Sequence, residues 1–459
     1  MRNLLRFNPE LARNIWQEFN TQRLVLMPLT IGLVVMLIFT FEDDIQTSVS
    51  VTHNFSLIIF LAVTSIWGIR SASGTLLEEQ QGLTWDWQRM SGLHPWKLTF
   101  GKLFGGTAYN WYGGLICILI FLITMPAGSA ATETAKILTA VFFTITVHSL
   151  AMLFTLPQMS RPYSGRSKLR GLLIYSTVAG LIIYIWIYKE LDSNVIPDLN
   201  WYGIHAHHSV MALITAVFYC TWTLAGVYRS MRSELQYADP PSWWIIFLTT
   251  NLIFQFGFLI WMPGIPTGAK WMILMILAMV QYLFATYAIA LSDQRDIVAW
   301  RKFFNPKNNR AWVQDMPIWL ISLTFALLGG IVLAILNSTL EHNIWGSTED
   351  IFYDQPISVF MFVISIFGFV IRDMGILLLL NFSLKRDKAS TYAILYFFIL
   401  YGLLPAIARP LSAGMLFYPD VTIAPLLMPV FPVIEATVIS VLVFRKINGT
   451  PDDSRIMPT

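Results

Sequence analysis

Residues 78–102 read EEQQGLTWDWQRMSGLHPWKLTFGK and gather acids, tryptophans and a Gly-Lys pair between two apolar runs. A phosphate loop needs G-x-x-x-x-G-K-[ST]; here Gly101-Lys102 is followed by Leu103, and Trp96 stands where the first glycine belongs. Lys102 is therefore read as a helix-start cation and not as a phosphate ligand. Asp86 and Arg89, three apart, become surface neighbours if this stretch is helical. Leu76 to Met90 contains no proline and only Gly82, so it is expected to form a short helix along the membrane surface, with Trp85 and Trp87 at the headgroup boundary. Pro95 then breaks the chain, and Gly101 permits close helix approach as it re-enters the bilayer. An ordinary amphipathic loop with aromatic anchors fits the same residues.

Elsewhere, Glu435 falls near the middle of an apolar run, where a carboxylate is costly unless paired or wet. It is read as a candidate translocation-pathway residue or as a hydrogen-bonded structural carboxyl. Asn251, Gln255 and Gln281 pose the same choice more mildly: pathway, or interhelical glue. Arg372 and Asp373 are read as an interface anchor at a helix end, and His148 as a hydrogen-bonded histidine inside a bundle. His205, His207 and His208 in GIHAHHS offer imidazoles, but the only sequence-local acid is Asp198 and no cysteine is near, so no metal site is assigned.

The elements that carry these groups follow from composition. The chain has 459 residues, 56% hydrophobic and 12% charged, about half the charge of a soluble domain. Apolar stretches long enough to span a bilayer recur near 24–41, 55–70, 104–125, 136–157, 171–188, 208–228, 243–262, 271–291, 317–336, 356–373, 391–408 and 426–444. The expected fold is an all-α polytopic bundle of about twelve membrane helices. Cys117 and Cys220 lie within such runs and read as small core fillers. The net charge of +3 gives no reason to expect nucleic acid. MRNLLRFNPELARNIWQEFNTQRL lacks the layout of a signal peptide and reads as an interfacial helix whose arginines face lipid phosphate.

Basic loops follow the fourth, sixth, eighth, tenth and twelfth spans, and acidic or neutral loops alternate with them. This pattern places both termini in the cytoplasm. A shift of roughly 216 residues lays the first six spans on the last six. Val227-Tyr228-Arg229 then meets Val443-Phe444-Arg445, and Ser167 and Arg170 meet Ser383 and Arg386. The expected organisation is a six-plus-six pseudo-repeat, with halves 1–230 and 231–459, the second ending in a short cytoplasmic tail. The largest cytoplasmic loop of the first half is 76–102; its counterpart is 292–316, with Asp296, Trp300, Arg301 and Lys302 before a break at Pro306. Five prolines between Arg409 and Pro432 exclude a straight helix there and point to a re-entrant outer gate or a kinked last span.

The acidic pair Glu78 and Glu79, then Thr84-Trp85-Asp86, Ser91-Gly92-Leu93, Trp96 and Gly101-Lys102-Leu103 together resemble the cytoplasmic loop of type-two ATP-binding cassette (ABC) transporter permeases. Two departures stand out: Leu83 is inserted between Gly82 and Thr84, and Gly92 replaces a usual proline. The resemblance implies a transport subunit of the plasma (bacterial inner) membrane that is not itself an enzyme. It further implies a coupling loop, comprising Glu78, Glu79, Thr84, Trp85, Asp86, Arg89, Trp96, Gly101 and Lys102, docked on a separate cytoplasmic ATPase. That partner, expected in two copies, would hold the ATP and Mg; membrane lipid is the other expected partner, and the cargo is open, with amphiphiles suited to the aromatic content. A self-powered secondary transporter of the same plan is the alternative, and a membrane-integral lipid-modifying enzyme a weaker one.

Overall fold

The computed structural model describes residues 8–42, 44–159, 199–237, 241–260, 267–293, 295, 297–305, 316–339, 359–383, 386–408, 410, 414–419 and 426–448. The chain divides into two compact units, Met1–Asp239 and Pro240–Thr459. The expected span 171–188, the basic loop before it, Asp198, Asp296 and Arg409 lie outside the described residues.

In the first unit, the Asn8 side chain accepts from the backbone N–H groups of Glu10 and Leu11, and Pro9 supplies a preset first-turn φ. This starts α1 (Pro9–Glu18), which is followed by α2 (Thr21–Phe41). Asp44 caps the next helix by accepting from the Thr47 N–H. That helix, α3, runs unbroken from Ile45 to Gln81 through a π-helical segment at Ala62–Trp67. Leu76–Gln81 is therefore the last part of a long helix and not part of a separate surface helix. The surface helix is shorter, α4 (Trp85–Met90), and it precedes α5 (Pro95–Gly105), α6 (Ala108–Ile123) and α7 (Ala130–Thr155). A small antiparallel pair, β1 (Leu199–Trp201) with β2 (Ile204–Ala206), leads into α8 (His208–Glu234).

The second unit contains α9 (Ser242–Ile260), α10 (Thr267–Ser292), the short α11 (Ile297–Phe304), α12 (Ile318–Thr339) and α13 (Val359–Ser383). Next come α14 (Arg386–Phe398), a π-helical turn Ile399–Leu403, α15 (Leu404–Ala408) and α16 (Val430–Asn448). Within the first unit α3 packs on α6 and α7 on α8; within the second α10 packs on α12 and α13 on α16. The same order of partners recurs in both.

Among the described residues, eight helices are long and apolar enough to cross a bilayer, or nine if α5 and α6, bent by 56° at their junction, form one broken span. The chain is an all-α, multi-pass membrane protein. Helix α16 carries Glu435, Arg445 and Lys446, and the apolar run Tyr392–Ala408 is shorter than a span. Cys117 and Cys220 are buried free thiols, as core fillers should be.

Candidate functional site

In the first unit the chain must turn twice to isolate α4, and two left-handed residues do this. Leu83 has φ 56° and Gly92 has φ 65°. These are the two positions where the sequence departs from the permease loop it resembles. Glycine adopts that conformation freely, whereas leucine does so at a cost. Between them Thr84 donates its N–H to the Glu79 carbonyl at 2.9 Å. His94 then caps α5 by accepting from the Trp96 N–H, with Pro95 at the first helical position.

The base of this hairpin is an ion network, not a docking surface. Lys102 lies inside α5 with a fully buried side chain, and its Nζ donates to Glu10 Oε1 at 3.1 Å and to the Glu79 carboxylate. Arg13 donates to Glu10 Oε1 at 2.8 Å and also to Glu79, while Gln88 Nε2 of α4 donates to Glu79 Oε1 at 2.6 Å. The Lys102 ammonium also lies 5.5 Å from the centroid of the Trp85 ring. One carboxylate, Glu79, thus ties α1, α3, α4 and α5 together. The reading of Lys102 as a helix-start cation is corrected by its interior, paired position. That of Arg13 as a lipid-phosphate ligand is likewise corrected by its two carboxylate partners.

Trp85 is only 3% exposed and belongs to a core with Leu98, Met152, Leu156 and Met231. It therefore packs within the protein and does not face lipid, following the turn at Leu83. Trp87 is exposed, and Trp96 is half-exposed and packs edge-on against Tyr228 at 5.7 Å. Gly101 permits the close approach expected of it: a Cβ there would fall 2.7 Å from the Glu10 Cβ and 2.8 Å from the Leu11 backbone nitrogen. Glu78 and Thr84 are exposed. Asp86 and Arg89 are surface neighbours at 3.6 Å. The outermost side chains of the hairpin are Leu83 (80% exposed), Trp87 (76%) and Met90 (81%), with Asp86 beside them.

In the second unit, α11 has the opposite character. Trp300 is buried against Trp319, with centroids 6.0 Å apart, and Arg301 Nε donates to the Ile447 carbonyl at 2.5 Å. Lys302 is exposed.

Here polar groups from three helices converge. Arg372 and Asp373 are 3% and 0% exposed, which corrects their reading as an interface anchor. Arg372 Nε donates to Asp373 Oδ1 at 3.0 Å, its Nη1 to Glu435 Oε2 at 2.7 Å, and its Nη2 to the Tyr401 hydroxyl at 2.9 Å. A longer bond, 3.5 Å, reaches the carbonyl of Leu416, inside the proline-rich segment. Asp373 also accepts from the Tyr287 hydroxyl at 2.7 Å and from the Tyr401 hydroxyl. Small residues make room: a Cβ on Gly368 would meet the Pro432 Cβ at 2.7 Å, and one on Gly375 would collide with Ile439. Gly368, Arg372 and Gly375 thus form one helix face opposite Pro432, Glu435 and Ile439. This G-x-x-x-R-x-x-G spacing is the sequence signal that could have revealed a buried arginine. Tyr401 sits on a π-helical turn, an irregularity that is frequent at functional sites.

The amide residues act as glue between α9 and α10. Asn251 Nδ2 and Gln255 Nε2 both donate to Gln281 Oε1, at 2.8 Å and 2.6 Å. His148 Nε2 lies 2.7 Å from the Thr64 carbonyl within the first unit, as expected of a bundle histidine. One pair escaped the sequence reading altogether: His53 Nε2 lies 3.1 Å from Glu133 Oε2, both buried, with Lys136 Nζ donating to Glu133 Oε1 at 2.9 Å. Of the histidines in GIHAHHS, His207 caps α8 by accepting from the Ser209 N–H, and His205 meets Asn200 across the β pair.

Comparison with protein-family models, with characterised proteins and with solved structures finds no match to this chain.

Proposed function

We propose that this chain is the membrane-spanning permease subunit of an ABC exporter, driven by a separate cytoplasmic ATPase. The reading includes about twelve spans in a six-plus-six plan, both termini cytoplasmic, and one chain serving two ATPase copies. ATP and Mg would reside on the partner; the cargo is of amphiphilic character.

The observation that carries the reading is the construction of the α4 hairpin. An energy-transducing loop needs a tip that a partner can grip and a base that cannot yield. Leu83, Asp86, Trp87 and Met90 offer apolar and acidic contacts at the tip. At the base, Glu79 and Lys102 join it to α1, α3 and α5 through buried charge-assisted bonds. Movement of the tip is then shared with the ends of the long helices. In the second unit Trp300 is packed inward and the exposed side chains of α11 are Val298, Lys302 and Phe304, a basic and apolar face unlike the acidic α4 tip, which supports two unequal docking loops. The recurrence of helix partners in the two units supports the duplication.

The test is isolation of the detergent-solubilised complex with its ATPase. One copy of this chain with two ATPase subunits is expected, and a two-to-two ratio would sink the fused-halves reading.

One observation favours the second reading, a self-powered secondary transporter: the Arg372, Asp373 and Glu435 charges within helices α13 and α16. ATP-independent uptake into vesicles containing this chain alone would establish it over the first.

A further inference from the structure

Helices α12, α13 and α16 bound an open groove of about 1050 Å³ within the second unit, at the upper end of the range for small-molecule sites, about 300–1,000 Å³. On α16 the lining residues recur every three or four positions from Val433 to Arg445, a single helix face about 18 Å long. The hydrocarbon of one bilayer leaflet is about 15 Å deep. Buried side chains, Val363, Phe367 and Ala436, form the floor, and Ile331, Phe360 and Phe444 form an exposed apolar rim.

The polar groups of the lining are Thr437, Ser440 and Arg445, and they are not equivalent. The Thr437 hydroxyl already donates to the Val433 carbonyl at 2.7 Å. Ser440 and Arg445 are exposed and make no hydrogen bond or ion pair among the described residues. Both lie toward the C-terminal end of the α16 face, so the groove is apolar along most of its length and cationic at one end. Arg445 is its one charged side chain among the described residues. Lys446, the next residue, donates instead to Ser383 Oγ at 3.0 Å and does not line the groove.

We propose that this groove holds an anionic phospholipid of the surrounding bilayer, with an acyl chain along α16 and the phosphate on the Arg445 guanidinium. The fork of a guanidinium matches two phosphate oxygens, and a basic residue at the mouth of an apolar groove between helices is what recognises an acidic headgroup. The Ser440 hydroxyl, between Arg445 and the apolar part, is a donor for the ester carbonyls that join head to chain. A zwitterionic headgroup brings its own cation, which Arg445 repels. The inference does not depend on whether an ATPase docks at the α4 hairpin.

The experiment uses the full chain, purified in detergent, as wild type, Arg445→Gln, Lys446→Gln and Thr437→Phe. Each is mixed with phosphatidylglycerol, phosphatidylcholine or oleate, and native mass spectrometry counts the molecules retained per chain. Wild type and Lys446→Gln are expected to retain one phosphatidylglycerol in preference to phosphatidylcholine by about fivefold, the worth of one basic residue at a lipid surface. Arg445→Gln loses that preference, and Thr437→Phe, which fills the groove, retains neither lipid. Arg445→Gln and Lys446→Gln each remove one exposed cation, so the pair decides the matter even if Thr437→Phe fails to fold. Equal retention of the two phospholipids by wild type, or equal effects of the two glutamine variants, overturns the proposal. Oleate retained through Arg445 in place of phosphatidylglycerol overturns it in favour of a free fatty acid, and chain dimers dispersed by Thr437→Phe overturn it in favour of a contact between copies.

Discussion

Lys102 Nζ and Glu10 Oε1 stand 3.1 Å apart, although they are separated by ninety-two positions in the chain. The lysine is fully buried and the glutamate nearly so. Breaking a buried pair by removing one partner costs about 3–5 kcal/mol, because the other charge is left uncompensated. Lys102→Met should therefore lower the unfolding free energy in detergent by about that amount, and pairing it with Glu79→Gln should recover part of it. Thermal unfolding of the single and double variants measures both. The Arg13 contacts are more exposed, at 38%, and Arg13→Ala is expected to cost less.

Gly101 lets α1 lie directly on α5. A Cβ at this position would press on Glu10 and Leu11, and overpacking of this kind costs about 1–3 kcal/mol. Gly101→Val should raise amide hydrogen exchange across Pro9–Glu18 and leave exchange in α13 unchanged.

The tip of the α4 hairpin contributes little to the fold. Replacing Asp86 and Trp87 together with alanine should change stability by no more than about 0.5 kcal/mol, as for other exposed positions. Under the proposed function the same pair weakens recovery of the ATPase at least tenfold, about 1.4 kcal/mol of binding. Unchanged co-purification and transport would reduce the hairpin to a membrane anchor.

Gly375 faces the Ile439 side chain of α16 along the Arg372 face. Gly375→Leu should separate them at a cost of about 1–3 kcal/mol, and Ile439→Ala, which removes the side chain it would strike, should recover part of that loss. Unfolding midpoints of the two variants and their combination decide this. A structural glycine outside the seam would show no such rescue.

Glu18, at the end of α1, is pushed above the usual carboxylate range by burial, with the Arg23 guanidinium at 2.7 Å opposing the shift. A carboxyl raised on folding stabilises below its unfolded value, and that contribution disappears as pH rises through the folded value. Glu18→Gln should flatten the pH dependence of the unfolding midpoint in the acid range. An unchanged slope would place the responsible group elsewhere.

Much of the helical plan was legible in the sequence because a bilayer imposes a length and a composition that each span displays by itself. The caps at Asn8 and Asp44, the break at Pro95 and the surface pair Asp86–Arg89 were equally local, set by residues within a turn of one another. Burial was different, because it depends on which helix comes to lie alongside. Glu79 looked like a docking acid until α1 brought Arg13 and α5 brought Lys102 to it. Trp85 resembled an interfacial anchor, and the inward turn at Leu83 placed it in the core. Arg372 and Asp373 resembled a helix-end anchor until Gly368 and Gly375 admitted α16, with Glu435, against them. Sequence alone determined that long apolar helices recur along the chain and which residues bear charge. The tertiary structure decided which charges meet, because an ion pair forms only where two helices, distant in the chain, approach closely enough to exclude both lipid and water.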